Sequence, residues 1–188
     1  MSLDFDGARL YNPNIAESHI AWRDQLRRFL DTEVVPYVEE WEEAGELPLS
    51  LWPKAAEIGL LGMGYPEEFG GIEEGIDVWH SWIVNEELAR VGAGGVAASL
   101  MVHGNGLPPV VNFARLEKNA MVAPKVLAGE AWISLGITEP GGGSDVASLT
   151  TTARRDGDHY VISGSKTFIT GGMRANWVST AVRTGGPG

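Results

Sequence analysis

Cysteine is absent from all 188 residues, which excludes a disulfide framework, a thiolate zinc site and a cysteine nucleophile, and is compatible with a reducing compartment. Basic residues are few: 14 lysines and arginines against 25 acids leave a formal charge of −11. Nucleic acids are bound through clustered Lys and Arg, so nucleic acid is not an expected partner. Any anionic ligand must be met locally, by a few basic groups and helix N-termini. Long apolar runs are missing too, and no stretch approaches the roughly 20 residues needed to span a bilayer. Residues 1–6, Met-Ser-Leu-Asp-Phe-Asp, lack the basic flank and apolar core of a secretory signal, and the start is not Arg-rich and acid-poor like a mitochondrial presequence. The expectation is a cytoplasmic protein without a transmembrane segment. What is present is 44% apolar content, enough for a real core at this length.

The apolar residues change period once along the chain. Between positions 15 and 41, Trp22, Leu26, Phe29, Leu30, Tyr37, Val38 and Trp41 recur at three- and four-residue steps, an amphipathic stripe bent or restarted at Pro36. Residues 49–58 read as a short helix with Ser50 as candidate N-cap and Gly59 as stop, followed by a turn-rich loop over 66–75. Asp77 is placed to cap a helix through Arg90 that buries Val78, Trp82, Leu88 and Val91 and stops at Gly92. Smaller helices are expected over 95–102, 108–113 and 117–127.

After Gly129 the pattern predicts strands over 132–137, 149–155, 159–162, 166–169 and 177–182, with Asp156-Gly157 as a hairpin turn. Helices followed by strands in series give an α+β fold. The expected division is a helical domain over 1–129 and a partial, mainly antiparallel β domain over 130–188, ending in the low-complexity run Gly185-Gly-Pro-Gly188. About five strands leave an unpaired edge, so further chain or a second polypeptide is expected to close the sheet.

Two segments carry chemistry. Residues 136–145 read Gly-Ile-Thr-Glu-Pro-Gly-Gly-Gly-Ser-Asp, a hydroxyl, a proline turn and three glycines that present bare backbone to a flat or anionic ligand. Residues 166–172 read Lys-Thr-Phe-Ile-Thr-Gly-Gly, again a strand running into glycines. Strand-end N–H groups, a Thr hydroxyl and an aromatic ring can meet a flat ligand that offers acceptors along its edge and a face for stacking.

Together the two segments closely resemble the flavin-binding pair of the acyl-CoA dehydrogenase family. The family's first signature, a small apolar residue, Thr-Glu-Pro, a glycine pair or triplet and Ser-Asp, is matched unbroken from Ile137 to Asp145. The second, an aromatic followed by Ile-Thr or Ile-Ser and then Asn-Gly or Gly-Gly, is matched by Phe168, Ile169, Thr170 and Gly171. Glu86-Glu-Leu-Ala-Arg90 and Leu127-Ala-Gly-Glu130 are similar to its helical domain. The resemblance covers essentially the whole chain and about the first half of a family member, so the sequence reads as the N-terminal helical domain and first strands of the β-barrel-like domain of a longer α-β-α enzyme.

The resemblance implies FAD as cofactor and an acyl-CoA thioester as substrate, with α,β-dehydrogenation delivering hydride to flavin N5. It further implies an electron-transfer flavoprotein as acceptor and a homo-oligomer, dimer or tetramer. Transferred position by position, Leu135, Ile137 and Thr138 would line the pyrimidine side, with Gly143 and Ile169 on the same cofactor edge. Phe168 would pack on the ring face away from substrate, and Thr170 would donate to N5. Ser144 would serve both cofactor and substrate, near the pantetheine. No catalytic residue is assigned, because the family's glutamate base and its grip on the adenine half lie in its C-terminal helical domain. A flavin-dependent oxidase or monooxygenase on the same scaffold, or a non-catalytic CoA-binding or assembly protein, are the alternatives.

Other candidates have plainer explanations. Glu139 beside a flavin loop invites the role of base, yet Thr-Glu-Pro reads as a loop-fixing acceptor of backbone N–H groups. Gly164-Ser-Lys-Thr167 lacks the Gly-Lys pair and upstream glycine of a phosphate loop. His19, His80, His103 and His159 show no metal-ligand spacing and no metal is expected. The run Glu39-Glu-Trp-Glu-Glu43 reads as a solvated helix face, and Trp22, Trp41, Trp52, Trp79 and Trp82 as helical core.

Overall fold

A computed structural model describes residues 3–185; residues 1–2, and residues 186–188 of the terminal Gly-Pro run, lie outside it. The helical part runs through α1 (Glu17–Glu33), α2 (Val38–Ala44), α3 (Leu51–Glu57), α4 (Val78–Val91), α5 (Gly94–Leu100), α6 (His103–Phe113) and α7 (Leu116–Leu127). Pro36 breaks the first stripe, as its sequence predicts: a 3-10 turn over Val35–Tyr37 separates α1 from α2. Asp77 caps α4, its carboxylate accepting from the N–H groups of Trp79 (2.9 Å) and His80 (3.3 Å), and Gly92 ends the helix at φ +76°. Ser50 precedes α3 but makes no side-chain cap bond.

The face α4 buries differs from the expected one. Ile83, Val84, Leu88 and Val91 face the core, whereas Val78 and Trp82 are 72% and 61% exposed. Trp79 and Trp82 pair edge to face on the surface, 6.2 Å apart, leaving only Trp41 and Trp52 of the five tryptophans fully inside. The reason is charge: Glu87 and Arg90 are drawn inward to meet α1, which rotates the tryptophans outward.

The β part comprises β1 (Ile133–Gly136), β2 (Thr152–Asp156), β3 (His159–Ser163) and β4 (Trp177–Thr180). The hairpin forms as read, β2 pairing antiparallel with β3 from Asp156↔His159 to Thr152↔Ser163 around Gly157 at φ +60°. β1 and β4 pair in parallel, Ile133↔Trp177 through Gly136↔Thr180, where antiparallel pairing was expected. Forty residues of loop and hairpin separate the two strands, long enough for the crossover a parallel pair requires. Past β4, Arg183 bridges Thr152, the Ala153 N–H donating to the Arg183 carbonyl (2.8 Å). The strands thus form two two-stranded sheets, β1 with β4 and β2 with β3, linked by this isolated bridge, and among the described residues β3 pairs only with β2.

The strands expected over 132–137 and 177–182 are trimmed to Ile133–Gly136 and Trp177–Thr180, and two others depart further. Val146–Ser148 forms a 3-10 turn, so the predicted strand over 149–155 starts only at Thr152. Residues 166–169 form no strand, because Phe168 adopts φ +55°, which reverses the chain. Trp132 joins the two parts: its ring lies 4.0 Å from Trp52 and under the Arg174 guanidinium, 5.3 Å away. Arg174 in turn donates to the Leu47 carbonyl (2.8 Å) and pairs with Glu46 (3.1 Å). Ser179 donates to the Gly106 carbonyl (2.6 Å), holding α6 on the sheet.

Candidate functional site

The Thr-Glu-Pro-Gly loop leaves β1 and is closed by Glu139 itself. Its backbone pairs with Gly142 in both directions (2.9 and 3.1 Å). Its carboxylate accepts from the Thr150 N–H and hydroxyl (both 2.6 Å), the Thr151 N–H (2.8 Å) and hydroxyl (2.5 Å), and Lys166 Nζ (2.9 Å). The threonine hydroxyls, then Lys166 and the Thr150 N–H, hold the Glu139 carboxyl well below the ordinary carboxylate range. A carboxylate so saturated and so acidic cannot take up a proton near neutral pH, so its work is to fix the loop, as the Thr-Glu-Pro pattern indicates.

The second segment lies against the first. Lys166 Nζ also donates to the Ile137 carbonyl (2.9 Å), and the Thr167 N–H donates to the Thr138 carbonyl (2.9 Å). Gly143 folds back over Thr138, where an added Cβ would sit 3.4 Å from the Thr138 methyl. The buried Ser134 hydroxyl donates to the Thr170 carbonyl (2.7 Å), and the Gly172 N–H closes a turn on Ile169 (2.9 Å). Ile137, Thr138, Gly143, Phe168, Ile169 and Thr170 thus converge around the end of β1, with Leu135 half-buried within that strand. Ser144 stands exposed in the loop, and among the described residues no hydrogen bond joins it to the others. Sequence reasoning did not pick out Lys166, Ser134 or the Thr150-Thr151 pair. Only the two adjacent hydroxyls, spaced to clasp one carboxylate, could have signalled them.

Phe168 is the outlier of this edge. A bulky residue in the left-handed region costs about 1–3 kcal/mol and is kept only where surrounding structure imposes it. Here its neighbours are pinned on both sides, by Thr167 to Thr138 and by Thr170 to Ser134, and the ring is driven out to 91% exposure.

The histidines divide by environment. His159 is exposed, and burial pushes His103 down to about 4, so it is neutral. His19 and His80, far apart in sequence, meet: each lies 2.9 Å from the same Asp77 oxygen, with ring centroids 4.3 Å apart. The three ligand atoms lie within 4.8 Å of one another. However, His19 Nδ1 accepts the Ala16 N–H (2.9 Å), so Nε2 carries the proton it donates to Asp77 and has no lone pair for a metal. The cluster ties together the N-termini of α1 and α4.

A helical unit clamped through Trp132 to a β module, with a Thr-Glu-Pro-Gly loop latched against a protruding aromatic turn, defines the class of proteins in which a helical domain is followed by a β domain. The chain belongs to the acyl-CoA dehydrogenase family: residues 16–130 match the acyl-CoA dehydrogenase N-terminal domain and residues 134–188 the acyl-CoA dehydrogenase middle domain. It is 38% identical over 168 residues to the rat mitochondrial long-chain specific acyl-CoA dehydrogenase, a match covering 89% of this chain and 37% of the rat protein. It is similar to the solved structure of a probable acyl-CoA dehydrogenase from Mycobacterium abscessus, with TM-score 0.85 and 46% identity over 92% of this chain and 46% of that one. A glutaryl-CoA dehydrogenase from Mycobacterium smegmatis, solved in complex with FADH2, superposes with TM-score 0.84 at 29% identity, over 96% of this chain and 45% of that one. The chain thus spans less than half the length of these relatives.

Proposed function

We propose that this chain supplies the N-terminal and middle parts of an FAD-dependent acyl-CoA dehydrogenase, with the flavin edge formed by Leu135, Ile137, Thr138, Gly143, Ser144, Phe168, Ile169 and Thr170. The observation that carries the reading is the latching of residues 166–171 against the end of β1, with Phe168 held outward at φ +55°.

The donor set fits FAD. A parallel ladder uses the backbone groups of alternate residues; Trp177 N–H donates to Trp132 (3.1 Å) and Ala181 N–H to Gly136 (2.9 Å). That alternation turns the N–H groups of Leu135 and Ile137 away from β4, toward acceptors such as a flavin's pyrimidine edge. The Thr170 carbonyl is occupied by Ser134, while its hydroxyl has no partner among the described residues and stands exposed, free to donate. The exposed Phe168 ring offers a stacking face.

Bound there, FAD would supply the hydride acceptor for an acyl-CoA thioester whose α-proton goes to a glutamate of the family's C-terminal region. This chain's part is to bind and orient. Ser144, on the exposed loop, would meet the pantetheine end of the substrate, and Glu139 with Lys166 ties the loop down. Reoxidation by an electron-transfer flavoprotein, assembly as a dimer or tetramer and cytoplasmic residence belong to the same reading. Among the described residues, no helix is long and apolar enough to cross a membrane.

Full-length protein should purify yellow with FAD. Thr170→Val, which keeps shape and removes the hydroxyl, should weaken flavin binding or slow flavin reduction by about 1 kcal/mol, roughly fivefold. A colourless full-length protein that takes up no added FAD defeats the proposal. The 188-residue chain alone should show no flavin reduction by short-, medium- or long-chain acyl-CoA; turnover, with intact mass excluding any longer form, would place the base within these residues.

A further inference from the structure

Within the helical part, a cavity of about 220 Å³ opens between α4, the start of α6 and the loop that follows α3. Its apolar wall is Leu60, Met63, Val84 and Met101, with Tyr65 and His103 set among them. Ser81, Asn85 and Gly104, all exposed, stand at its mouth. An apolar cavity of about 150 Å³ holds a benzene ring, so this one has room for the end of an aliphatic chain.

The polar groups of this cavity are unpaired. His103 is 4% exposed, burial keeps its ring neutral, and its Nδ1 has no hydrogen-bond partner among the described residues. The Leu61 and Leu100 carbonyls approach the ring and partly offset the effect of burial, yet neither bonds to Nδ1. The Tyr65 ring lies 6.2 Å from it, centroid to centroid, and burial alone pushes the Tyr65 phenol up to about 12, with no hydrogen bond contributing. Interiors normally pair such groups, so two of them in one apolar cavity point to a ligand that supplies the missing bonds. No Lys, Arg, Asp or Glu lines the cavity, and a charge buried there would go uncompensated, so the ligand's polar group is uncharged. A neutral imidazole carries one N–H and one lone pair, and a hydroxyl, which donates and accepts, meets either.

The cavity also stands close to the strand that carries the flavin edge. His103 opens α6, and Gly106, less than one turn on, packs so tightly on β1 that an added Cβ would fall 2.9 Å from the Ile133 and Ser134 carbonyl oxygens. Given the acyl-CoA reading above, on which this rests, we propose that the cavity receives the far end of the acyl chain and selects a chain ending in a hydroxyl, held by His103 and Tyr65.

With full-length protein, kcat/KM for flavin reduction by an ω-hydroxyacyl-CoA should exceed that for the unsubstituted acyl-CoA of equal length by roughly tenfold or more at some chain length, because a chain without the hydroxyl leaves both groups unpaired. His103→Leu and, separately, Tyr65→Phe should each shrink that ratio by roughly fivefold or more. A ratio of two substrates on one protein is unmoved by a general loss of folding or of flavin. Calorimetric titration with n-hexanol reads the cavity without the flavin, and wild type should bind it more tightly than His103→Leu. An unsubstituted chain preferred at every length, a ratio that neither variant moves, or n-hexanol bound equally by wild type and His103→Leu overturns the proposal. If no acyl-CoA reduces the flavin, the function proposed above fails, whereas n-hexanol binding that depends on His103 still assigns the cavity to a hydroxylated chain.

Discussion

Glu139 shows how one side chain can serve a site without doing its chemistry. Its folded-state pKa lies below the value of about 4.5 for a free glutamate. As pH falls, the unfolded chain takes up the proton first, so the stabilisation is complete above about 4.5 and is lost progressively below it. Glu139→Gln keeps an acceptor oxygen for the threonine donors but gives up the Lys166 pair and the titrating group. Thermal midpoints measured from neutral pH into acid should show wild type above the variant, with the gap closing below that pH; a constant gap would mean that the carboxylate charge does not hold the loop. The loop-fixing role was legible in Thr-Glu-Pro, because a carboxylate before a proline turn has backbone N–H groups within reach. Its partners were not, since Thr150, Thr151 and Lys166 lie 11, 12 and 27 residues away.

At the scale of elements, the joint between helices and sheet depends on Gly129. It sits at φ +72°, and a Cβ there would fall 2.4 Å from the Trp52 carbonyl carbon and 2.5 Å from the Pro53 nitrogen. Gly129→Ala combines a left-handed penalty of about 1–2 kcal/mol with a backbone collision, so a loss above about 2 kcal/mol is expected in urea denaturation. Gly157→Asn at the hairpin is the contrast: φ is +60°, but nothing lies within 4 Å and asparagine tolerates that conformation, so the change should be within about 0.5 kcal/mol. Equal effects at the two positions would show that packing against Trp52 is not what makes Gly129 necessary. Helices here were readable because each carries its own period and stops. The segment 166–169 was misread as strand because β propensity says nothing about the bonds from Thr167 to Thr138 and from Ser134 to Thr170, which force Phe168 to turn between them.

For the whole molecule, the buried ionic seam between α1 and α4 is the costliest feature to disturb. Glu87 is 0% exposed and accepts two bonds from Arg27 (2.7 and 2.9 Å) and one from Arg90 (3.0 Å). Glu87→Gln leaves the arginines facing an uncharged amide in the interior, and a loss of about 3–5 kcal/mol is expected by denaturant titration. A loss under about 1 kcal/mol would mean that the seam behaves like a solvated surface pair. The same seam explains the misplaced tryptophans. Hydrophobic periodicity puts Val78 and Trp82 inside α4, but burying Glu87 and Arg90 to meet Arg27 and Asp31 turns the opposite face to solvent.

The sequence by itself determined the order of helices then strands, the ends of α4, the hairpin at Gly157 and the family to which the two glycine-bearing segments belong. Each of these is written in residues close together along the chain, where caps, turns and periodicity act. The tertiary structure decided the parallel pairing of β1 with β4, the outward turn at Phe168, the rotation of α4 and the meeting of His19 with His80 across Asp77. Those depend on groups tens of residues apart finding one another, and on the requirement that every buried charge and backbone donor be matched, which no local pattern encodes.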